Sequence, residues 1–400
     1  MMTEFFVSER FEFVLFGLML IGVALFHRHV LRIGLAGLVV ILLHKFLFIQ
    51  DFQFIPHMFG EVSLLTQITD KEIRQGEWAI LLNLLGLLLG FAILSKHFEE
   101  SHVPKMLTKL LPEGWKGPLL LLIIVFLLSS FLDNIAAAII GGTLASVVFN
   151  NKVHIGYLAA IVAASNAGGA GSVLGDTTTT MMWIDGVNAL SVVHAYVAAI
   201  PCLIFFSLFA SVQQNNFQPI QKTETAARID WLRIIIVVMI LALTIVTNVL
   251  FDFPALGVWI AILIGAFFRQ TAWYEIKAAL PGTIFLLALI ICASLMPVDS
   301  LPKASWQSTF ALGFLSSVFD NIPLTKLALD QGGYDWGMLA YTVGFGGSMT
   351  WFGSSAGVAI CSIFPEAKSV VQWLLKGWHI TIAYIVGFFI LLVISGWQPH

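Results

Sequence analysis

Long apolar runs separated by short polar connections fill the chain from about residue 11 to residue 397. Runs of this length cross a hydrocarbon core of roughly 30 Å as helices. They predict membrane helices near residues 11–27, 30–49, 78–97, 154–185, 190–212, 232–250, 255–269, 279–297, 336–364 and 371–397. Two further apolar runs, 118–149 and 306–330, carry an Asp-Asn pair close to their middles, in SSFLDNI (129–135) and SSVFDNI (316–322), 187 positions apart. An Asp at the centre of a simple span costs about 2.5–3.5 kcal/mol. Its duplication at matched positions therefore calls for a purpose.

The basic residues decide how these two runs meet the membrane. If both are re-entrant hairpins that leave on the side they entered, 14 loop residues from Arg28 to Lys376 share one side, with Arg10, Lys71, Arg74 and Lys303 opposite. If both cross, the tally becomes 9 against 9. The excess of Lys and Arg on cytoplasmic loops favours the hairpins. Five full spans then follow each other in each half, an odd number, so the second half enters the membrane upside down. The expected fold is an all-α polytopic membrane protein of about ten transmembrane helices plus two re-entrant hairpins, arranged as two inverted-topology repeats with broken helices. The first repeat covers residues 1–212, with its hairpin at 118–149 and broken helix at 154–185. A cytoplasmic linker occupies 213–231. The second repeat covers 232–400, with its hairpin at 306–330 and broken helix at 336–364. Both termini are expected outside, and the expected location is a bacterial cytoplasmic (inner) membrane. The segment SKHFEESHVPKMLTKLLPEGWKG, from Ser95, reads as an interfacial helix ahead of the first hairpin.

Composition agrees with a membrane setting: 58% of residues are hydrophobic and 11% charged, too little polar surface for a water-soluble globule. The net charge of -3 points to no particular partner. Cys202, Cys292 and Cys361 lie in apolar spans without metal spacing and are expected as free packing thiols. The N-terminal sequence does not read as a cleaved signal, so the first span is expected to stay.

Each hairpin is followed by a glycine-rich span. SNAGGAGSVLGDTTTT (165–180) and GFGGSMTWFGSSAGVA (344–359) align Gly168, Gly169 and Gly175 with Gly346, Gly347 and Gly353. Such glycine density disfavours a continuous helix. Interrupted helices at matched places in two halves point to a transporter's binding site. Asp176 departs from the symmetry, since its counterpart is Ser354.

The motifs LDNIAAAIIGG, NAGGAGSVLGDTTTTMMWI and FDNIP resemble those of NhaD-type sodium/proton antiporters of the ion transporter superfamily, whose relatives include arsenite permeases and divalent anion/sodium symporters. The resemblance is strongest over residues 129–184 and 316–323. It implies a secondary transporter, and not an enzyme, in which sodium or lithium and protons compete for midplane carboxylates. No cofactor is expected, only the transported ions. The expected partners are monovalent cations, protons and the lipid bilayer. A homodimer is compatible with the reading and not required by it, and nucleic acid has no role.

The expected site gathers Asp133, Asp176 and Asp320 as sodium ligands, amides from Asn134, Asn166 and Asn321, and hydroxyls from Thr177, Ser129, Ser130, Ser316, Ser317 and Ser354. Freed carbonyls around Gly168 and Gly346 would complete it. Oxygen ligands suit a small hard cation, and clustered carboxylates at membrane depth are neutralised by either a cation or protons. Structural readings stand beside these: Asp133, Asp320 and Asp176 as helix caps, the glycines as packing positions, the serines as partners of carbonyls in their own helices, and His44 and Lys45 as snorkelling groups. Lys326, in the second hairpin, has two readings. It pairs with Asp320 or Asp176 when sodium is absent, or it snorkels to the outer interface. The alternative function is a sodium-coupled symporter of a small carboxylate or oxyanion, with Lys326 as the positive charge, since neither hairpin nor broken helix contains Arg. A channel has no need of the duplicated plan, and no HExxH or Ser-His-Asp pattern supports catalysis.

Overall fold

The structure, a computed structural model, describes residues 9–26, 29–221 and 228–400. Arg28 and Lys222, both counted for topology, and the middle of the 213–231 segment lie outside the described residues. Among the described residues every regular element is helical. Six helices are long and apolar enough to cross a membrane, and shorter apolar helices accompany them. The chain is an all-α, polytopic, integral membrane protein.

Sixteen principal helices follow one another in an order that repeats. The first eight are α1 (Glu9–Leu25), α2 (Val30–Phe48), α3 (Trp78–Glu100), α4 (Lys116–Ser129), α5 (Asn134–Val148), α6 (Ile155–Ala170), α7 (Thr177–Ile184) and α8 (Tyr196–Phe217). The second eight are α9 (Trp231–Phe251), α10 (Pro254–Ala266), α11 (Tyr274–Ser294), α12 (Trp306–Ser316), α13 (Asn321–Gln331), α14 (Trp336–Gly346), α15 (Ser355–Ile363) and α16 (Trp378–Ser395). Each set gives three helices, a pair joined by a short turn at Asp-Asn, a helix interrupted in the middle, and a closing helix. α8 runs to Phe217, so the first residues of the expected linker are helical. The expected interfacial helix is shorter than the sequence suggested. α3 continues to Glu100, His102 adopts a left-handed φ of 62°, and only Val103–Leu107 and a 3-10 turn at Thr108–Leu110 follow.

The chain forms two compact units that cut across the two sequence halves. One contains residues 1–94, 238–302 and 326–331, and so the first three helices of each set together with the end of α13. Within it α2 packs against α1 and α11. Lys45 of α2 meets Glu12 of α1 at 2.6 Å, with side chains only 12% and 3% exposed. The expected snorkelling of Lys45 is therefore corrected: pairing with a buried carboxylate offsets the cost of an ammonium at this depth. The connection before α3 is organised by Gln67, fully buried, whose amide donates to the carbonyls of Phe59 and Val62 and accepts from the Gln75 N–H and the Trp78 indole.

The other unit contains residues 95–237, 303–325 and 332–400. At its centre lies α6, buried from Gly156 to Ala170 and packed on α4, α5, α8, α14 and α15. Small residues make that close packing possible. A Cβ on Gly168 would lie 2.1 Å from the Phe126 carbonyl oxygen, and one on Gly346, its counterpart, 2.3 Å from that of Gly313. The first arm of each hairpin thus lies directly against the broken helix of its own half.

Candidate functional site

The breaks and the hairpin turns bring four helix starts together within one unit. α6 stops at Ala170, and the chain turns through residues 171–175 before α7 begins after Asp176. α14 passes through a 3-10 turn at Gly347–Met349, and α15 begins after Ser354. α5 and α13 each begin immediately after an aspartate, Asp133 and Asp320.

Asp176 is the centre of this arrangement. Oδ1 accepts from Asn134 Nδ2 at 3.0 Å, and Oδ2 accepts from Thr178 Oγ1 in its own helix at 2.5 Å and from Asn321 Nδ2 at 3.4 Å. The network continues from Asn134 Nδ2 to Asn166 Oδ1 at 3.0 Å, and from Asn166 Nδ2 to Ser348 Oγ at 2.9 Å and Ser354 Oγ at 3.1 Å. Asp176, Asn134, Asn166, Asn321, Ser348 and Ser354 are all buried. One carboxylate, from the position where the two halves differ, is thus held by the matching asparagines of both Asp-Asn turns. α14 leaves space beside it, since a Cβ on Gly344 would stand 3.3 Å from Asp176 Oδ2.

Asp133 and Asp320 are arranged differently from Asp176. Asp133 Oδ2 accepts from the Ile135 N–H and Asp320 Oδ1 from the Ile322 N–H, each at 3.1 Å, as helix caps do. Asp320 Oδ2 also accepts from Ser355 Oγ at 3.4 Å. Both aspartates lie within the electrostatic reach of Asp176. Among the described residues no three Asp, Glu, His or Cys side chains converge as a metal-ligand set. Backbone N–H groups at two helix starts engage the outer pair.

The hydroxyls and glycines divide between site and scaffold. Ser129 Oγ donates to the Ser165 carbonyl and Ser316 Oγ to the Val343 carbonyl, both at 2.6 Å, so each first arm bonds across to its broken helix. Ser317 bonds back to Phe314 in its own helix. The Gly168 carbonyl, expected to be free, accepts from Ser130 Oγ at 3.2 Å and from the Tyr196 hydroxyl at 2.9 Å. Ser354, by contrast, both caps α15 at the Gly357 N–H and accepts from Asn166. Thr177, buried at the start of α7, bonds Asp133 through its side chain, and Thr178 makes the side-chain bond to Asp176. Thr178, Ser348, Ser355 and Tyr196 escaped the sequence reading. The run of four threonines signalled the first, and nothing local signalled the others.

Lys326 departs from both of its expected roles. Its ammonium donates to Glu77 at 2.9 Å and to Asp330 at 2.6 Å, and its side chain is 2% exposed. It neither pairs with Asp320 or Asp176 nor snorkels. Asp330 lies one turn further along α13, where i,i+4 neighbours meet, and Glu77 supplies the second acceptor.

Residues 18–346 match the sequence profile of a family described as Citrate transporter. Among similar proteins, Sodium/proton antiporter 1 of Arabidopsis thaliana is 28% identical over 59% of this chain and 48% of its own length. Sodium/proton antiporter 2 of the same plant is 26% identical over 76% of this chain and 81% of its own. The Na(+)/H(+) antiporter NhaD of Alkalimonas amylolytica is 25% identical over 59% and 60%. The chain spans about half the length of the first of these relatives.

Proposed function

The chain belongs to the citrate transporter family, and from that premise we propose that it exchanges sodium or lithium for protons across the membrane at a site centred on Asp176. The observation that carries this reading is the engagement of one buried carboxylate by Asn134 and Asn321, one from each Asp-Asn turn. Relatives that bear the name sodium/proton antiporter support it.

The exchange follows from competition. With no cation bound, the amide nitrogens of Asn134 and Asn321 and the hydroxyl of Thr178 satisfy the carboxylate. A carboxylate accepts only, so both asparagines turn their nitrogens toward it. A cation entering at Asp176 needs oxygen donors, which the same asparagines supply by turning their amides over. Ser354, Ser348 and Asn166 extend the oxygen-bearing wall. A proton on Asp176 removes the charge that holds the cation, and so releases it. Asp133 and Asp320 add negative field while they fix the helix starts. Alternating access at a fixed site then requires only that the site be loaded with one ligand or the other on each side.

The symporter alternative relied on Lys326 as the positive charge for an anion. That charge is engaged by Glu77 and Asp330, which withdraws its support. The test is dissipation of a pH gradient in everted vesicles on addition of sodium, lithium or potassium, with and without citrate. Sodium or lithium alone is expected to suffice. A response that requires the anion would overturn the antiport reading.

A further inference from the structure

The Lys326 cluster lies wholly within the unit that holds the first three helices of each set and the end of α13, and the exchange proposed at Asp176 makes no use of it. Its charges do not balance. Two carboxylates, Glu77 Oε1 and Asp330 Oδ1, share one ammonium at 2.9 and 2.6 Å, which leaves one negative charge over. The second oxygen of Glu77 is buried and accepts no hydrogen bond. His57 lies within the electrostatic reach of Glu77, Lys326 and Lys45, and its ring meets Ser294 Oγ at 3.1 Å. Lys45 is itself matched by Glu12, so it does not balance the triad.

Burial separates the roles within the cluster. The Lys326 side chain is 2% exposed, whereas Glu77 is 14% and Asp330 24% exposed. The ammonium is sealed, and the acids hold what exposure the triad has. One cation holds both acids in place. Glu77 is further fixed by its neighbour Trp78, whose indole donates to Gln67. The other end of α13 begins at Asn321, which bonds Asp176.

We propose that Glu77, Asp330 and Lys326 form a second proton-binding site, separate from Asp176, in which a proton shared by the two carboxylates neutralises the odd charge of the triad. The proton adds to one carboxylate oxygen and leaves from it, with no other bond made or broken. In the topology read from the sequence, both acids adjoin outer connections, so the proton arrives from outside. The transport arm of the test rests on the exchange proposed above, and the spectroscopic arm does not.

Lys326→Met would leave two carboxylates facing each other and threatens folding, so the shape-preserving variants Glu77→Gln and Asp330→Asn carry the test. The first measurement is the pH-difference infrared spectrum of the purified full chain. Wild type is expected to show a protonated-carboxyl C=O band that both variants lose, because one acid balances one lysine, and that Asp176→Asn retains. The second is sodium-dependent exchange against pH. Each triad variant is expected to lose about one proton from the steepness of the acid limb, with half-saturating sodium at alkaline pH unchanged within roughly twofold. Folded variants with wild-type titration bands would overturn the proposal, as would a band lost only in Asp176→Asn. If no variant or wild type exchanges sodium, the antiport reading falls, and the infrared comparison still decides the triad.

Discussion

Asp176 is engaged by the asparagines of both Asp-Asn turns, whereas Asp133 and Asp320 each accept from a backbone N–H at the start of their own helix. The three acids should therefore respond differently to the same isosteric change. Asp176→Asn removes the only charge that the two asparagines converge on, and sodium-dependent exchange in vesicles is expected to fall more than 100-fold at unchanged protein level. Asp133→Asn and Asp320→Asn retain a side chain that caps as well as aspartate. They lose only a neighbouring field, worth about 1.4 kcal/mol, and should raise half-saturating sodium roughly tenfold. Equal loss in all three variants would return the site to three equivalent ligands. The two Asp-Asn pairs were legible in the sequence because a charge inside an apolar run is costly. The special position of Asp176 was not, since its bond to Asn321 joins residues 145 apart and the bond from Asn166 to Ser354 joins residues 188 apart. Lys326 was misread for the same reason: Glu77 lies 249 positions away, and no local pattern announces it.

At the scale of the helix, the glycines that marked the breaks have a steric duty. A Cβ on Gly175 would stand 2.1 Å from the Ser129 carbonyl oxygen and one on Gly353 2.7 Å from that of Ser317. At both breaks the returning chain therefore runs against the end of a hairpin arm. Gly175→Ala and Gly353→Ala are each expected to cost about 1–3 kcal/mol through overpacking, seen as a lower Tm in detergent. Gly282→Ala, in α11 with nothing within 4 Å of its added Cβ, should be neutral or slightly stabilising. A Tm unchanged in the first two would mean that glycine serves only to loosen the helix. Element order was the most legible level, because the same apolar lengths, Asp-Asn turns and Gly-Gly pairs recur in sequence. Helix ends were less so: α8 extends to Phe217 through polar residues, and the amphipathic stretch after Ser95 divides where His102 takes a left-handed conformation.

At the scale of the molecule, contacts group the first three helices of each set with the end of α13 in one unit and the rest of the hairpins, the broken helices and the closing helices in the other. A sequence read from end to end suggests two consecutive halves, because duplication is visible along the chain while packing partners are not. The inverted orientation of those halves remains a proposal carried by the basic residues, 14 on one side against 4 on the other, and it makes a definite demand. Lys152, after the first hairpin, must face the cytoplasm, and Lys303, before the second, must face outside. Both residues are exposed, and Cys202, Cys292 and Cys361 are buried, so an impermeant thiol reagent reports on an introduced cysteine with little background. Lys152→Cys is expected to react in everted vesicles and Lys303→Cys in intact cells or right-side-out vesicles. Reaction of both from the same side would mean that an odd number of crossings does not separate the hairpins. The two Asp-Asn turns would then enter from one face, and exchange at Asp176 would have to be explained without inverted repeats.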